Sequence, residues 1–286
     1  MSLGLCLAGG GVKGAAHVGV LKALEEENIK IDYIGGASSG SIVATLHAVG
    51  FTADEIYGIF KKYCKNIKYV DLLNIFKLII GLIFTGKIQI DGLNEGGQIE
   101  RLIDKVCNKR NVTNISQIKK PLVIPSVDMN NGNVICFTSK KVRNILSDNV
   151  VFVGNISVGK AVRASCSYPA VFSPCKYKDT KLIDGGIREN VPWKELKLLG
   201  AEKIINIMFE DKKVTECCDN LVEVTGRAIN LLCRELSNYE MMGADYTVKI
   251  KTEKVGLLDM DKIEELYDMG YKQIKKEISN IKEYVK

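Results

Sequence analysis

An apolar strand, a sharp turn and a helix follow one another in residues 31–49, which read Ile-Asp-Tyr-Ile-Gly-Gly-Ala-Ser-Ser-Gly-Ser-Ile-Val-Ala-Thr-Leu-His-Ala-Val. Ile31–Gly35 is typical of a short buried strand, and Ser39–Val49 has the small and apolar residues of a buried helix. The turn between them, Gly36-Ala37-Ser38-Ser39-Gly40, matches G-x-S-x-G. After a strand and before a helix, this pattern predicts a nucleophile elbow that holds a serine above the sheet at a helix N-terminus. Ser38 is therefore the candidate nucleophile, although a Gly/Ser-rich turn without catalytic function fits the same residues.

A second glycine-rich segment lies between the predicted strand Leu3–Ala8 and the predicted helix Ala15–Asn28, and it reads Gly9-Gly10-Gly11-Val12-Lys13-Gly14. It fits G-x-G-x-x-G, the dinucleotide fingerprint, and Asp32 lies near the spacing of a ribose ligand. A Rossmann-type dinucleotide enzyme is therefore one interpretation. Backbone N–H groups at a helix start can equally stabilise an oxyanion. The loop predicts an anion site and leaves the anion open.

The residue that would activate Ser38 is not found among the histidines. The chain has only two, His17 and His47, and neither fits the order Ser…Asp/Glu…His of a hydrolase triad. His47 is ~13 Å along the helix from Ser38 at ~1.5 Å per residue, and His17 has no orienting partner in the sequence. We therefore expect both histidines to be structural. A carboxylate or a lysine must act instead, and Asp184, which follows the apolar strand Leu182-Ile183 and precedes Gly185 and Gly186, is the candidate.

The composition suits one α/β domain, because 46% of the 286 residues are apolar and strands alternate with helices without a linker. Pro121–Met129 and Asn133–Ser139 predict a hairpin around Asn130-Asn131-Gly132. The net charge of +6 gives only a weak signal for nucleic acid, and we predict no nucleic-acid partner. The nine scattered cysteines lack CxxC spacing, which favours reduced thiols in a cytoplasmic protein. We expect no metal and no cofactor, since zinc and calcium patterns are missing.

Residues Leu72–Phe84 form a very apolar stretch with a single charge, Lys77. Thirteen residues are too few to span a bilayer. A buried core helix would explain the stretch. A helix that docks on a lipid surface would explain it as well, and flanking lysines would suit anionic headgroups. The N-terminus has the pattern of a buried strand rather than of a signal peptide, and no stretch reaches the ~18 apolar residues of a spanning helix. We therefore expect a cytoplasmic protein whose contact with a membrane, through Leu72–Phe84, is peripheral.

The motifs together resemble the patatin-like phospholipase family. Residues 9–14 match its G-G-G-x-[KR]-G segment, and residues 36–40 match its elbow. Residues 164–174 resemble its A-S-x-S-x-P-x-x-F-x-P block, and residues 184–192 resemble its D-G-G-x-x-x-N-x-P segment. The resemblance spans about residues 3–210.

This resemblance implies a three-layer α/β/α fold with a mainly parallel central sheet, and hydrolysis of acyl esters of phospholipids or related lipids. It implies a dyad of Ser38 and Asp184, with the backbone N–H groups of Gly10, Gly11 and Val12 as the oxyanion hole. A dinucleotide enzyme would leave the second and third motifs unexplained, and a catalytically silent lipid-binding module would not need both Ser38 and Asp184. We expect a single domain over residues 1–286, with a helical part from about residue 212 to 286 outside the signature. The motifs do not specify the head group, the acyl chain or the oligomeric state.

Overall fold

The computed structural model describes residues 1–63, 71–85, 87–88, 90–142, 149–210, 221–252, 255–256 and 259–286. The helices in these residues are α1 Gly14–Glu26, α2 Ser39–Val49, α3 Ala53–Tyr63, α4 Leu72–Thr85, α5 Gly97–Asn108, α6 Val158–Ser165, α7 Trp193–Leu199, α8 Leu221–Glu240 and α9 Ile263–Tyr284. The strands are β1 Leu3–Leu7, β2 Tyr33–Gly36, β3 Gly92–Asn94, β4 Leu122–Asp128, β5 Val134–Thr138, β6 Val150–Val153, β7 Ala170–Phe172, β8 Cys175–Tyr177, β9 Thr180–Asp184, β10 Lys203–Glu210 and β11 Tyr246–Lys251.

One large sheet has the strand order β11-β10-β1-β2-β4-β5-β6. The pairs from β11 to β4 are all parallel, and so is the pair β5–β6. Strands β4 and β5 form the predicted antiparallel hairpin, in which Gly132 has a φ of 74°. Every residue of β1 is buried, as expected for a parallel strand that is covered on both faces. The predicted α/β class with a mainly parallel central sheet is confirmed.

Strand β9 determines where the third motif lies. Strand β2 pairs with β4 only at Leu122 and Val123. Farther along β4, the same edge pairs with β9, in antiparallel register, and Ser126 lies opposite Asp184. Asp184 is therefore placed just beyond the carboxyl end of β2, which is where the elbow begins.

The C-terminal part of the chain packs into the same body as the motifs. The backbones of α1 and α9 come so close that a Cβ added to Gly270 would lie 1.9 Å from the carbonyl oxygen of Ala16. Strand β11, which we did not predict within the helical part expected from about residue 212 to 286, adds to β10 at the edge of the sheet. The sequence of β11 alternates between apolar and charged residues, as is typical of a strand: Val248 and Ile250 are buried, and Lys249 and Lys251 are exposed.

Leu72–Phe84 is helical, as expected, and forms α4. Within the described part of the chain, no helix is both long enough and apolar enough to cross a membrane.

Candidate active site

Ser38 lies at a strained turn between β2 and α2. Its φ of 49° is in the left-handed region, which residues other than glycine rarely adopt. The glycines on either side of Ser38 make this turn possible: a Cβ on Gly40 would lie 2.1 Å from the carbonyl oxygen of Leu7, and one on Gly36 would lie 2.7 Å from the backbone of Gly40. The strain and the close packing give this turn the geometry expected of a nucleophile elbow.

Two serine side chains hold the backbone of the elbow. The N–H of Ser38 donates to Oγ of Ser165 over 3.0 Å, and Oγ of Ser41 donates to the carbonyl oxygen of Ser38 over 2.6 Å. Ser165 belongs to the block at residues 164–174, so the motif identified the segment but not this contact. The two bonds fix the backbone of Ser38 from both sides, and Ser38 lines a large cavity.

The glycine loop follows β1 and continues into a 3₁₀ turn, Gly11–Lys13, that runs directly into α1. N–H groups at the start of a helical turn have no acceptor within the turn, so they are available to an external anion. Gly10, Gly11 and Val12 line the same pocket as Ser38. The structure thus brings the first and second motifs to one cavity.

Asp184 ends β9 and is buried, with 2% of its surface exposed. Its Oδ1 accepts the N–H of Gly186 over 2.8 Å. Burial raises the pKa of Asp184 to about 7, while the Ser38 hydroxyl and the Gly186 N–H both favour the carboxylate and oppose part of the rise. Oδ2 of Asp184 has no hydrogen bond of regular geometry within the described residues, although the Ser38 hydroxyl is close enough to affect this pKa. Catalytic hydrogen bonds are often long or poorly aligned without substrate, so this contact is compatible with a proton transfer.

The pocket that Ser38 and Asp184 share has a volume of about 1050 Å³. Its walls come from the glycine loop, from the ends of β10 and β11, and from one face of α8. Several lining residues are apolar: Val12, Ile42, Phe60, Ile99, Val171, Phe172, Met208, Phe209 and Leu231. A cavity of this size with an apolar lining could hold an acyl chain beside the serine.

Neither histidine lines this pocket. Nε2 of His47 contacts Nζ of Lys120 at 3.0 Å, close to the end of α2 that is remote from Ser38. His17 is fully buried, and its Nε2 contacts the carbonyl oxygen of Ala8 at 2.7 Å. Asp32 accepts the N–H of Leu3 and pairs with Lys30 at the opposite end of β2 from Ser38. Asp32 therefore lies outside this pocket and cannot act there as the ribose ligand of a dinucleotide.

A buried arginine braces the block at residues 164–174. Arg163 donates to the carbonyl oxygens of Glu95 and Ser173, and to Oγ of Ser167. The carbonyl oxygen of Ser167 in turn accepts the N–H of Asp184 over 3.0 Å. No sequence pattern distinguishes Arg163 as a buried residue, because an arginine on an amphipathic helix is normally exposed.

A serine at an elbow and a buried carboxylate line one pocket on a mainly parallel α/β sheet, which is the arrangement expected of a hydrolase with a serine nucleophile. The chain belongs to the patatin-like phospholipase family, whose family model matches residues 5–197. The predicted resemblance is thereby confirmed, and membership supports a lipid ester hydrolase.

Two relatives illustrate the similarity. The chain is 29% identical over 216 residues to "Lysophospholipase NTE1" of Lodderomyces elongisporus, a match that covers 72% of this chain and 12% of that protein. It is 30% identical over 190 residues to "Uncharacterized protein YqhO" of Bacillus subtilis, which covers 65% of this chain and 63% of that one. The chain thus spans only about an eighth of the length of the first relative. Among solved structures, VipD from Legionella pneumophila has the same fold, with a TM-score of 0.53 at 15% identity over 98% of this chain and 67% of that chain.

Proposed function

We propose that the protein hydrolyses acyl esters of lipids through a dyad of Ser38 and Asp184. The observation that carries this proposal is the shared pocket, in which a strained elbow serine, a buried carboxylate and the start of a helical turn face one cavity. Family membership supports the same reaction class.

The reaction proceeds in two steps. Oγ of Ser38 attacks the acyl carbonyl carbon while its proton passes to Asp184, and the carbonyl oxygen becomes an oxyanion that the N–H groups of Gly10, Gly11 and Val12 bind. The leaving alcohol takes the proton from Asp184, and an acyl-enzyme remains. Water then attacks the acyl-enzyme and gives a proton to Asp184. Asp184 returns this proton to Oγ of Ser38 as the acid leaves. A pKa of about 7 suits Asp184 to both roles, because it can accept and return a proton near neutral pH.

Phospholipid or lysophospholipid acyl esters are the substrates that we favour. Similar proteins carry the name lysophospholipase, and the pocket combines an apolar lining with a volume of about 1050 Å³. The experiment is lipid profiling after incubation with the wild-type protein and with Ser38→Ala, together with labelling by a fluorophosphonate. We expect the label on Ser38 alone. Labelling that persists in Ser38→Ala would refute the assignment, and a wild-type chain without esterase activity or label would favour the catalytically silent module.

We also propose that α4 contacts a lipid surface. The alternative of a fully buried core helix fails for several of its side chains, because Leu73 and Phe76 are each 59% exposed and Phe84 is 78% exposed. The helix is anchored from one side, where the amide of the buried Asn74 donates to the carbonyl oxygen of Gly92. Large apolar side chains that remain in water on an anchored helix are typical of a docking surface.

The position of α4 relative to the pocket supports this proposal. Strand β3, which follows α4, pairs with β7, and Phe172 of β7 lines the pocket. Helix α8, one face of which lines the pocket, also exposes apolar side chains on its outer side, such as Leu232 and Tyr239. Two apolar surfaces therefore lie close to the cavity that a lipid would enter.

The test replaces Phe76 and Phe84 with serine and measures sedimentation with vesicles of phosphatidylcholine, with and without phosphatidylglycerol. We expect vesicle binding to fall, while the melting temperature and the turnover of a soluble short-chain ester stay close to wild type. A fall in the melting temperature would instead assign these side chains to the core.

A further inference from the structure

The glycine loop has few side chains with which to hold its own position. Gly9, Gly10 and Gly11 contribute only backbone, and glycine is the residue with the greatest backbone freedom. An oxyanion hole works only if its donors are already in place when the charge develops. Contacts from outside the loop must therefore fix its orientation.

Two side chains hold the single peptide unit at which the loop begins, the one between Ala8 and Gly9. Its carbonyl oxygen lies 2.7 Å from Nε2 of His17, and its N–H donates to Oδ1 of Asn190 over 2.8 Å. The two contacts are on opposite edges of the same peptide plane, so together they resist its rotation. The loop leaves β1 at this plane, so a rotation of the plane would move the N–H groups that follow it.

His17 is suited to a purely positional role. It is fully buried, and its ring packs against that of Phe209 with 4.7 Å between the centroids. Burial lowers its pKa to about 4, so the ring is neutral at physiological pH and carries one N–H. Because the oxygen of Ala8 can only accept, that N–H must be on Nε2. Nδ1 has no partner among the described residues and is not placed to relay a proton to Ser38.

Asn190 connects the loop to the turn that carries Asp184. It lies six residues after Asp184, and its Nδ2 donates to Oγ of Ser237 on α8 over 3.1 Å. This second contact orients the amide group, because Nδ2 must face the hydroxyl and Oδ1 must then face Gly9. Its backbone N–H is also tied to α8, through the carboxylate of Glu240. Asn190 thus relates the position of the oxyanion loop to that of the catalytic carboxylate.

We propose that His17 and Asn190 are positioning residues of the oxyanion hole, which act by clamping the peptide between Ala8 and Gly9 from both sides. The inference rests on the proposed function. Removal of either contact lets the donors of Gly10, Gly11 and Val12 turn away from the developing oxyanion. A misplacement of about 1 Å can lower a rate by about a hundredfold, as can the loss of one oxyanion donor.

The test compares Asn190→Ala and His17→Phe with matched controls elsewhere in the fold. Asn206→Ala removes a different asparagine, which is fully buried, and His47→Phe removes the other histidine; neither Asn206 nor His47 lines the pocket. For the two clamp variants we expect kcat on a soluble short-chain ester to fall by about tenfold to a hundredfold, with KM changed by less than about twofold. For the controls we expect a lower melting temperature with kcat retained.

A transition-state analogue distinguishes positioning from general loosening. Oγ of Ser38 attacks the carbonyl carbon of a trifluoromethyl ketone, and the ketone oxygen becomes an oxyanion. The inhibition constant of this compound for each clamp variant should therefore rise in proportion to the loss of kcat/KM. Binding of the corresponding secondary alcohol, which forms no oxyanion, should not change. His17→Gln keeps an N–H donor and should recover much of the activity that His17→Phe loses. The double variant should lose less than the product of the single losses, because both contacts hold one peptide.

Several outcomes would overturn the proposal. Folded clamp variants with wild-type kcat would do so, as would equal losses of kcat in Asn206→Ala and His47→Phe. If Asn190→Ala does not fold, the comparison of His17→Gln with His17→Phe decides; if neither clamp variant folds, the contacts serve stability and the proposal fails. A wild-type chain with neither activity nor labelling at Ser38 would refute the proposed function instead.

Discussion

Replacement of Asp184 by asparagine should abolish turnover and, at neutral pH, make the protein more stable. The isosteric amide keeps the acceptor that Gly186 uses and removes a group whose ionisation is costly in a buried site. Burial raises the pKa of Asp184 from 3.8 to about 7. At about 1.4 kcal/mol per unit of pKa, this rise of about three units corresponds to about 4 kcal/mol.

The direction in which stability changes with pH follows from the protonation of Asp184 in the folded and in the unfolded chain. At a pH well below about 4, Asp184 is protonated in both the folded and the unfolded chain, and its full contribution to stability is present. Between about pH 4 and about pH 7, only the unfolded chain loses the proton, so each rise in pH favours unfolding. Above about pH 7 both states are ionised and the loss is complete. The stabilising effect of Asp184→Asn should therefore grow with pH and level off above about pH 7.

The assay is urea unfolding of the wild-type and Asp184→Asn proteins at about pH 5 and about pH 8. The difference between their free energies of unfolding should increase by about 3 kcal/mol between these conditions. Burial also raises the pKa of Glu189 and of Glu240, but both proteins contain these residues and their effects cancel in the difference. The exposed Asp179→Asn is the matched control and should show no such trend. A difference that stays constant with pH, or a variant that becomes less stable as pH rises, would refute the reasoning.

The pH dependence of turnover, the packing of α1 on α9 and the bonds of Arg163 can each be tested directly. In a pH profile, kcat/KM on a soluble ester should rise about tenfold per pH unit up to about pH 7 and then level off, because Asp184 must be ionised to accept a proton. A flat profile from about pH 5 upward would exclude Asp184 as the base. Gly58→Ala, where an added Cβ meets nothing within 4 Å, should raise the free energy of unfolding by about 0.5–1 kcal/mol. Gly270→Ala, at the contact with α1, should lower the free energy of unfolding by about 1–3 kcal/mol. Equal effects of the two variants in denaturation curves would contradict the close packing of α1 on α9. Arg163→Met should lower the free energy of unfolding by about 3 kcal/mol or more, since the buried guanidinium donates hydrogen bonds to two carbonyl oxygens and one hydroxyl. A loss below about 1 kcal/mol would mean that water replaces these hydrogen bonds.

The sequence by itself determined the features that depend on short-range sterics. Residues 31–49 specify a strand, a turn and a helix within one stretch, and only glycine fits at Gly36 and Gly40, where a Cβ would meet backbone. The hairpin of β4 and β5 is likewise local, because Asn131-Gly132 permits a tight turn between two apolar runs. The order of the motifs then sufficed to predict the family and the mainly parallel sheet.

Only the tertiary structure decided how distant residues meet. Asp184 reaches the elbow because β9 pairs with β4 just beyond the end of β2, and no local pattern specifies that register. In the same way, the contacts of His17 and Asn190 with one peptide join parts of the chain 181 residues apart, and the apolar pattern of α4 could not distinguish a buried helix from an exposed one. Local sequence reports the preferences of a segment for helix, strand or turn, whereas strand pairing and burial follow from the packing free energy of the whole chain.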